Sequence, residues 1–132
     1  MKPTAAKLDS QSTGKVPVVV IVDDDPAVCS SLKFSLELEG FVVRAYGNAA
    51  ELLNGGDLGC DCFVIDQRMP GMSGMDLIVR LRTDNVATPA ILLISHPNPA
   101  LSARAIKANV PVVEKPLLGN MLVDTIRDAC GR

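Results

Sequence analysis

The sequence has no surplus of positive charge. Its 13 Lys and Arg residues are outnumbered by 15 Asp and Glu residues, which leaves a formal net charge of -2. Such a chain offers neither the basic surface that attracts nucleic acid nor the polybasic segment that binds anionic lipid. We therefore expect a protein or a small ion as its partner, with no nucleic-acid binding and no membrane attachment by this chain.

Long apolar runs are also missing. No segment approaches the roughly 18 consecutive apolar residues of a membrane span. Residues 1–16 are rich in Lys, Ser, Thr and Gln and lack the hydrophobic stretch of a signal peptide. We predict a flexible N-terminal tail over 1–16, one domain over 17–132 that is large enough to bury a core, and a cytoplasmic protein.

The four cysteines lack the C-x-x-C spacing of a common metal site. Cys60 and Cys62 are two residues apart in a predicted strand, so their side chains are expected on the same side of it. Free, mostly buried thiols are therefore favoured over a metal site.

Short apolar runs alternate with amphipathic stretches along the rest of the chain. That alternation is typical of βα units around a parallel sheet, so the predicted fold class is α/β. The predicted strands are 18–22, 41–46, 60–65, 90–94 and 110–113. Arg44 in the second run and Pro111 in the fifth suit edge strands.

The helices between these strands have recognisable starts. The predicted capping and first-turn pairs are Asp25 with Pro26, Asn48 with Glu51, Ser73 with Asp76, and Asn98 with Pro99. The apolar stripe of the fourth helix is predicted at Leu101, Ala105 and Ala108, and that of the fifth at Leu118, Met121, Leu122, Thr125, Ile126 and Ala129.

Polar side chains follow these strands where each strand ends. They are Asp23, Asp24 and Asp25 after the first strand, Asp66 at the third, Ser95 at the fourth and Lys115 at the fifth. The carboxyl ends of parallel strands meet at one edge of a sheet, so these groups should converge there. Asp25 is better explained as a helix cap.

Carboxylates that converge without a counter-charge repel one another and raise one another's pKa values. A hard divalent ion relieves that repulsion, and Mg²⁺ prefers carboxylate and carbonyl oxygens with retained waters. A carboxylate beside Mg²⁺, a hydroxyl and an ammonium group has the parts needed to accept a phosphoryl group.

Residues 17–130 resemble the receiver domains of two-component response regulators. The resemblance lies in the acidic pair within IVDDDPAV, the segment DQRMPGMSG at Asp66, and the triplet Glu114-Lys115-Pro116. It implies a flavodoxin-like, doubly wound sheet of five parallel strands in the order 2-1-3-4-5, with five helices.

The resemblance also implies roles for individual residues. Asp66 would be phosphorylated from a histidine kinase or a phosphotransfer protein, and Lys115 would contact the phosphoryl oxygens. Asp24, Asp66 and the backbone carbonyl of Arg68 would ligate Mg²⁺, with Asp23 acting through water. The Lys115–Pro116 bond would be cis. The chain would be no enzyme beyond phosphorylating and dephosphorylating itself.

Two positions depart from the family pattern. Receivers usually end strand four on Thr or Ser, but an ungapped alignment from Pro89 puts Ile94 there, and only a one-residue shift puts Ser95 there. His96 is then expected to be a loop residue at the pocket rim. The family's switch aromatic is replaced by Val112, whose single stiff rotamer predicts a small rearrangement on phosphorylation.

Other interpretations remain open at this point. A stand-alone receiver, monomeric or weakly dimeric, is expected to act by docking to a downstream partner or as a phosphoryl shuttle. A pseudo-receiver that binds protein without being phosphorylated is the main alternative. A haloacid-dehalogenase-type phosphatase shares the aspartyl chemistry, but its motif order differs.

Overall fold

The computed structural model describes residues 16–117 and 119–131. Strands and helices alternate along the chain. In chain order they are β1 (Val18–Val22), α1 (Pro26–Leu38), β2 (Val42–Tyr46), α2 (Ala49–Leu53), β3 (Cys62–Asp66), α3 (Gly74–Thr83), β4 (Ala90–Ile94), α4 (Pro99–Lys107), β5 (Val112–Glu114) and α5 (Met121–Ala129). The predicted tail, apart from Val16, lies outside the described residues.

The strands form one parallel sheet in the order β2-β1-β3-β4-β5, which confirms the predicted order. The three inner strands carry almost unbroken apolar runs because helices cover both of their faces. All five residues of β3 are buried. The edge strands β2 and β5 carry the exposed Arg44 and Glu114.

Two apolar layers, one on each face of the sheet, hold the helices in place. Alternate residues of the inner strands point into different layers. The first layer joins the sheet to α2, α3 and α4 through residues such as Leu52, Leu77 and Ala105. The second joins it to α1 and α5 through Leu36 and Ile126. This is a doubly wound sheet, as predicted.

The side-chain caps of α1 to α4 form where the sequence predicted them. The cap oxygens of Asp25, Asn48, Ser73 and Asn98 accept hydrogen bonds from the backbone of the first helical turn at 2.9, 2.9, 3.2 and 3.1 Å. These bonds satisfy amides that have no partner inside the helix. Four of the strand-to-helix junctions are therefore fixed by local chemistry.

The prediction for Cys60 and Cys62 was wrong. Strand β3 starts at Cys62, so Cys60 lies in the bend before it, where the two-residue alternation of a strand does not apply. The two side chains pack into opposite apolar layers. All four thiols are free.

Three further positions differ from the predicted pattern. Pro111 lies just before β5, although its carbonyl still accepts a hydrogen bond from the Leu92 amide at 2.9 Å. Met121, predicted on the inner stripe of α5, is 64% exposed. Ala108 lies one residue past the end of α4, at its C-cap, and is exposed. Leu118 lies outside the described residues.

Among the described residues, the helices are too short or too polar to cross a membrane.

Gly74, the first residue of α3, packs tightly against the end of β3. A Cβ at this position would lie 2.9 Å from both the carbonyl carbon of Asp66 and Leu92 Cδ1, and closer still to the carbonyl oxygen of Asp66. Backbone cannot move aside as a flexible side chain can, so only glycine fits this junction.

We predict that Gly74→Ala lowers the free energy of unfolding by about 1–3 kcal/mol, because the added methyl forces the loop after β3 away from the strand. Chemical denaturation measures the change. Gly59→Ala is the matched control, since its Cβ would be 3.6 Å from its nearest neighbour, Asp57 Oδ1. Its stability should stay within about 0.5 kcal/mol of wild type. Equal stabilities for the two variants would contradict the prediction.

Candidate metal and phosphoacceptor site

Three carboxylates meet at the carboxyl edge of the sheet. Oxygens of Asp23, Asp24 and Asp66 lie within 4.8 Å of one another. The strand register explains why Asp23 and Asp66 lie close together. Val22 pairs with Ile65, and these two aspartates directly follow that pair. Asp23 and Asp66 are 1% and 5% exposed, whereas Asp24 faces solvent. The cluster therefore has a buried base and an open side.

Lys115 supplies a positive charge at the base of this cluster. Its Nζ lies 3.1 Å from Asp23 Oδ2 and 3.0 Å from Asp66 Oδ1. The backbone fixes its origin, because the Lys115 amide donates to the Ile94 carbonyl at 2.8 Å. The Lys115–Pro116 peptide bond is cis, in agreement with the prediction. One ammonium group, from the end of edge strand β5, thus bridges two buried carboxylates at the ends of the neighbouring strands β1 and β3.

The electrostatic balance at the cluster remains negative. Burial raises the pKa of the Asp66 carboxyl, and repulsion by Asp23 and Asp24 adds to that rise, against the opposing effect of Lys115. Desolvation lowers the pKa of Lys115, but its contacts with Asp66 and Asp23 more than offset this and raise it overall. The lysine is therefore held charged, and the carboxylates still favour a further cation.

Asp25 lies beside the cluster but serves the helix. Its Oδ1 accepts the Ala27 amide at 2.9 Å, while its own amide donates to Asp23 Oδ1 at 3.0 Å. The second bond fixes the orientation of the Asp23 carboxylate. The geometry agrees with the interpretation of Asp25 as a cap.

The loop from β3 to α3 forms the wall on the open side. It and Asp24 border a depression of about 470 Å³, lined by Asp24, Gln67, Arg68, Met69, Pro70 and Ser73. Arg68 is exposed, and it lines this depression together with Asp24. A cation near Asp24 and a ligand approaching from solvent would therefore meet this loop.

Ser95 is not part of the contact network. Strand β4 ends at Ile94, which is 4% exposed and packs in the first apolar layer, so an aliphatic side chain occupies the last strand position. Ser95 and His96 are exposed in the following loop. Within residues 16–117 and 119–131, the Ser95 hydroxyl makes no hydrogen bond, so a role for it remains a prediction.

Sequence reasoning assigned no role to Gln67, the residue directly after Asp66. Its side-chain oxygen accepts the Met75 amide at 2.8 Å, across the base of the β3–α3 loop. The only sequence signal is an amide side chain at the point where a buried strand ends.

The sheet order defines a doubly wound α/β domain, and its carboxyl edge carries an acidic cluster opposite a lysine. A model of the response regulator receiver domain matches residues 19–127, and the chain belongs to that family.

Similar curated proteins and solved structures agree with this assignment. The transcriptional regulatory protein FixJ of Azorhizobium caulinodans is 34% identical over 116 residues, covering 86% of this chain and 55% of FixJ. The response regulator protein TmoT of Ectopseudomonas mendocina is 35% identical, with 85% and 52% covered. The crystal structure of FixJ-N matches with a TM-score of 0.79 and 32% identity, covering 89% of this chain and 96% of that one. The chain spans about half the length of the curated relatives it matches.

We predict that Asp66→Asn raises the melting temperature in Mg²⁺-free buffer at neutral pH. The amide removes a buried charge that Asp23 and Asp24 repel, yet it keeps an oxygen for Lys115. Thermal unfolding followed by circular dichroism tests this. Asp124→Asn, an exposed change on α5, should leave the melting temperature nearly unchanged. A variant at Asp66 that melts below wild type would refute the charge balance described here.

Proposed function

We propose that this receiver accepts a phosphoryl group on Asp66 from a phosphohistidine of a histidine kinase or a phosphotransfer protein. The observation that carries the proposal is the position of Lys115 Nζ, 3.0 Å from Asp66 Oδ1 and 3.1 Å from Asp23 Oδ2. An ammonium group held beside a buried carboxylate is placed to contact the oxygens of a group bound to that carboxylate.

In this reaction an Asp66 carboxylate oxygen forms a bond to phosphorus. The bond between phosphorus and the donor's imidazole nitrogen breaks, and its electron pair returns to the imidazole. Lys115 can then donate to an oxygen of the transferred group, which stabilises the charge spread over those oxygens. Burial keeps Asp66 in one orientation for attack from the open side.

The donor set fits Mg²⁺. Three carboxylates with oxygens within 4.8 Å of one another match the ligands this ion prefers, and Arg68 lines the same depression as Asp24. Asp24, Asp66 and the Arg68 carbonyl are the proposed direct ligands. Asp23 would act through water, because its two oxygens already accept from Asp25 and Lys115. When bound, Mg²⁺ neutralises charge on the carboxylates and the phosphoryl oxygens.

The proposed output is docking of a downstream partner or transfer of the phosphoryl group onward. The chain is proposed to be cytoplasmic, monomeric or weakly dimeric, and without enzyme activity beyond its own phosphorylation and dephosphorylation. Transcriptional regulation is named for relatives such as FixJ, of which this chain covers 55%, and this chain itself is proposed to bind no nucleic acid. Ser95 is proposed as a second hydrogen-bond donor to the phosphoryl oxygens. Its loop would have to move toward Asp66 for its hydroxyl to reach them.

A pseudo-receiver that binds protein without phosphorylation is the second candidate. Ile94 at the end of β4 favours it, because an apolar side chain cannot donate to a phosphoryl oxygen. The retained carboxylates and lysine favour the first candidate, and labelling separates the two.

We predict that a small phosphodonor such as acetyl phosphate, with Mg²⁺, adds one phosphoryl group to the wild type, and that Asp66→Asn abolishes the addition. Asp66 is the only one of the three clustered carboxylates that belongs to the middle strand, β3, and it also contacts Lys115. Intact mass spectrometry provides the readout. Asp25→Asn is the control and should be labelled like wild type, since Asn also caps helices well.

Labelling of Asp66→Asn at the wild-type level would refute the assignment of the acceptor. An unlabelled wild type would favour the pseudo-receiver.

We predict that Asp24→Ala abolishes measurable Mg²⁺ binding and that Asp23→Ala weakens it by roughly tenfold, as expected for a group acting through water. Isothermal titration calorimetry measures both affinities, with Asp25→Asn as the control that should match wild type. Equal affinity in wild type and Asp24→Ala would show that the ligand is wrong.

A further inference from the structure

We propose that Gln67 is a positioning residue that sets the Mg²⁺ affinity of this receiver by closing the base of the β3–α3 loop. This inference rests on the proposed function, because it assumes that the Arg68 carbonyl in that loop is a metal ligand.

Gln67 joins three parts of the fold through three hydrogen bonds. Its amide donates to the Leu93 carbonyl of β4 at 2.9 Å, and its carbonyl accepts the Gly74 amide at 3.0 Å. Its side-chain Oε1 accepts the Met75 amide at 2.8 Å. The residue after the phosphoacceptor is thus tied to the neighbouring strand and to the start of α3 at once.

These bonds make Gln67 a second cap for α3. A helix leaves its first amides without internal partners. Ser73 satisfies the amide of Asp76 in the usual local way, at 3.2 Å. The amides of Gly74 and Met75 are satisfied instead by Gln67, which lies on the far side of the loop. The loop is therefore closed at its base by two hydrogen bonds, one to the backbone carbonyl of Gln67 and one to its side-chain oxygen.

Close packing at the same place reinforces the closure. Gly74 lies against the Asp66 carbonyl so tightly that a Cβ there would be 2.9 Å from the carbonyl carbon. Met75 is 1% exposed and packs in the first apolar layer. The start of α3 is thus held in place by packing. The hydrogen bond from Met75 to the Gln67 side chain ties Gln67, the residue before Arg68, to that fixed point.

The consequence for the metal follows from the chain order. Arg68 comes next after Gln67, and both residues line the same depression as Asp24. Fixing Gln67 at both its backbone groups and its side chain limits the orientations open to the following peptide. A preorganised carbonyl binds a metal more tightly than one that must be ordered on binding.

The test compares Gln67→Met with wild type. Methionine has a similar length but no oxygen for Met75. In calorimetry we expect about a tenfold weaker Mg²⁺ affinity, within the range seen when the support of a metal ligand is removed. In acetyl phosphate labelling, the Mg²⁺ concentration for half-maximal rate should rise about tenfold, while the rate at saturating Mg²⁺ should stay within about twofold of wild type.

Two further variants separate positioning from a general loss of stability. Asn48→Ala removes an equivalent side-chain cap, the 2.9 Å bond to the Glu51 amide of α2, and should leave Mg²⁺ affinity unchanged. Gln67→Glu keeps an acceptor oxygen for Met75 and should retain wild-type or tighter affinity. If Gln67→Met does not fold, Gln67→Asn, which is too short to reach Met75, replaces it and is expected to show the same tenfold loss.

The outcomes distinguish this inference from the proposed function. Unchanged Mg²⁺ affinity in Gln67→Met, beside a wild type that binds Mg²⁺ and is labelled, would overturn the role of Gln67 alone. A reduced rate at saturating Mg²⁺ with an unchanged half-maximal concentration would also overturn it. A wild type that neither binds Mg²⁺ nor is labelled would overturn both.

Discussion

The bridge from Lys115 to Asp23 and Asp66 is the interaction on which the rest of the site depends. Two carboxylates that are 1% and 5% exposed cannot remain charged and close together without a partner. The ammonium group provides that partner at 3.0 and 3.1 Å. Any change in the position of β1, β3 or β5 would lengthen one of these contacts, so the sheet and the site constrain each other.

The sheet meets this constraint through register more than through special residues. Parallel pairing of β1 with β3, and of β3 with β4, brings the strand ends to one edge in a fixed order. The two apolar layers then hold the helices on both faces, and local caps fix where α1 to α4 begin. At this edge β1 is followed by Asp23 and β3 ends on Asp66, so two of the buried strands meet charged side chains there.

Much of this could be predicted from the sequence because it depends on local patterns. The runs 18–22 and 90–94 became β1 and β4 without change, since each is a continuous aliphatic segment. The caps of α1 to α4 were predicted because a capping side chain and its amide lie within three residues of each other. Asp23, Asp24, Asp66 and Lys115 were named for the same reason, as each follows a recognisable strand.

The errors and omissions depend on contacts that no local pattern encodes. Cys60 fell outside β3 because a bend precedes the strand, and Met121 is exposed because the first turn of α5 contacts the core through Leu122 and Val123 instead. Gln67 was missed because its partner, Met75, is eight residues away and the bond closes a loop instead of capping from the adjacent position. Ser95 is exposed because it lies just past the end of β4, where Ile94 takes the last buried position.

The charge count of the site bears on the order of events during signalling. Three carboxylates and one ammonium group leave an excess of two negative charges. A phosphohistidine donor is itself an anion, so the pocket without a metal repels it, whereas a divalent cation makes the pocket neutral. On the proposed function, the ion has to arrive before the donor. The receiver would thus bind Mg²⁺ and the donor in that order, and the free Mg²⁺ concentration would limit the rate of phosphoryl transfer from the kinase.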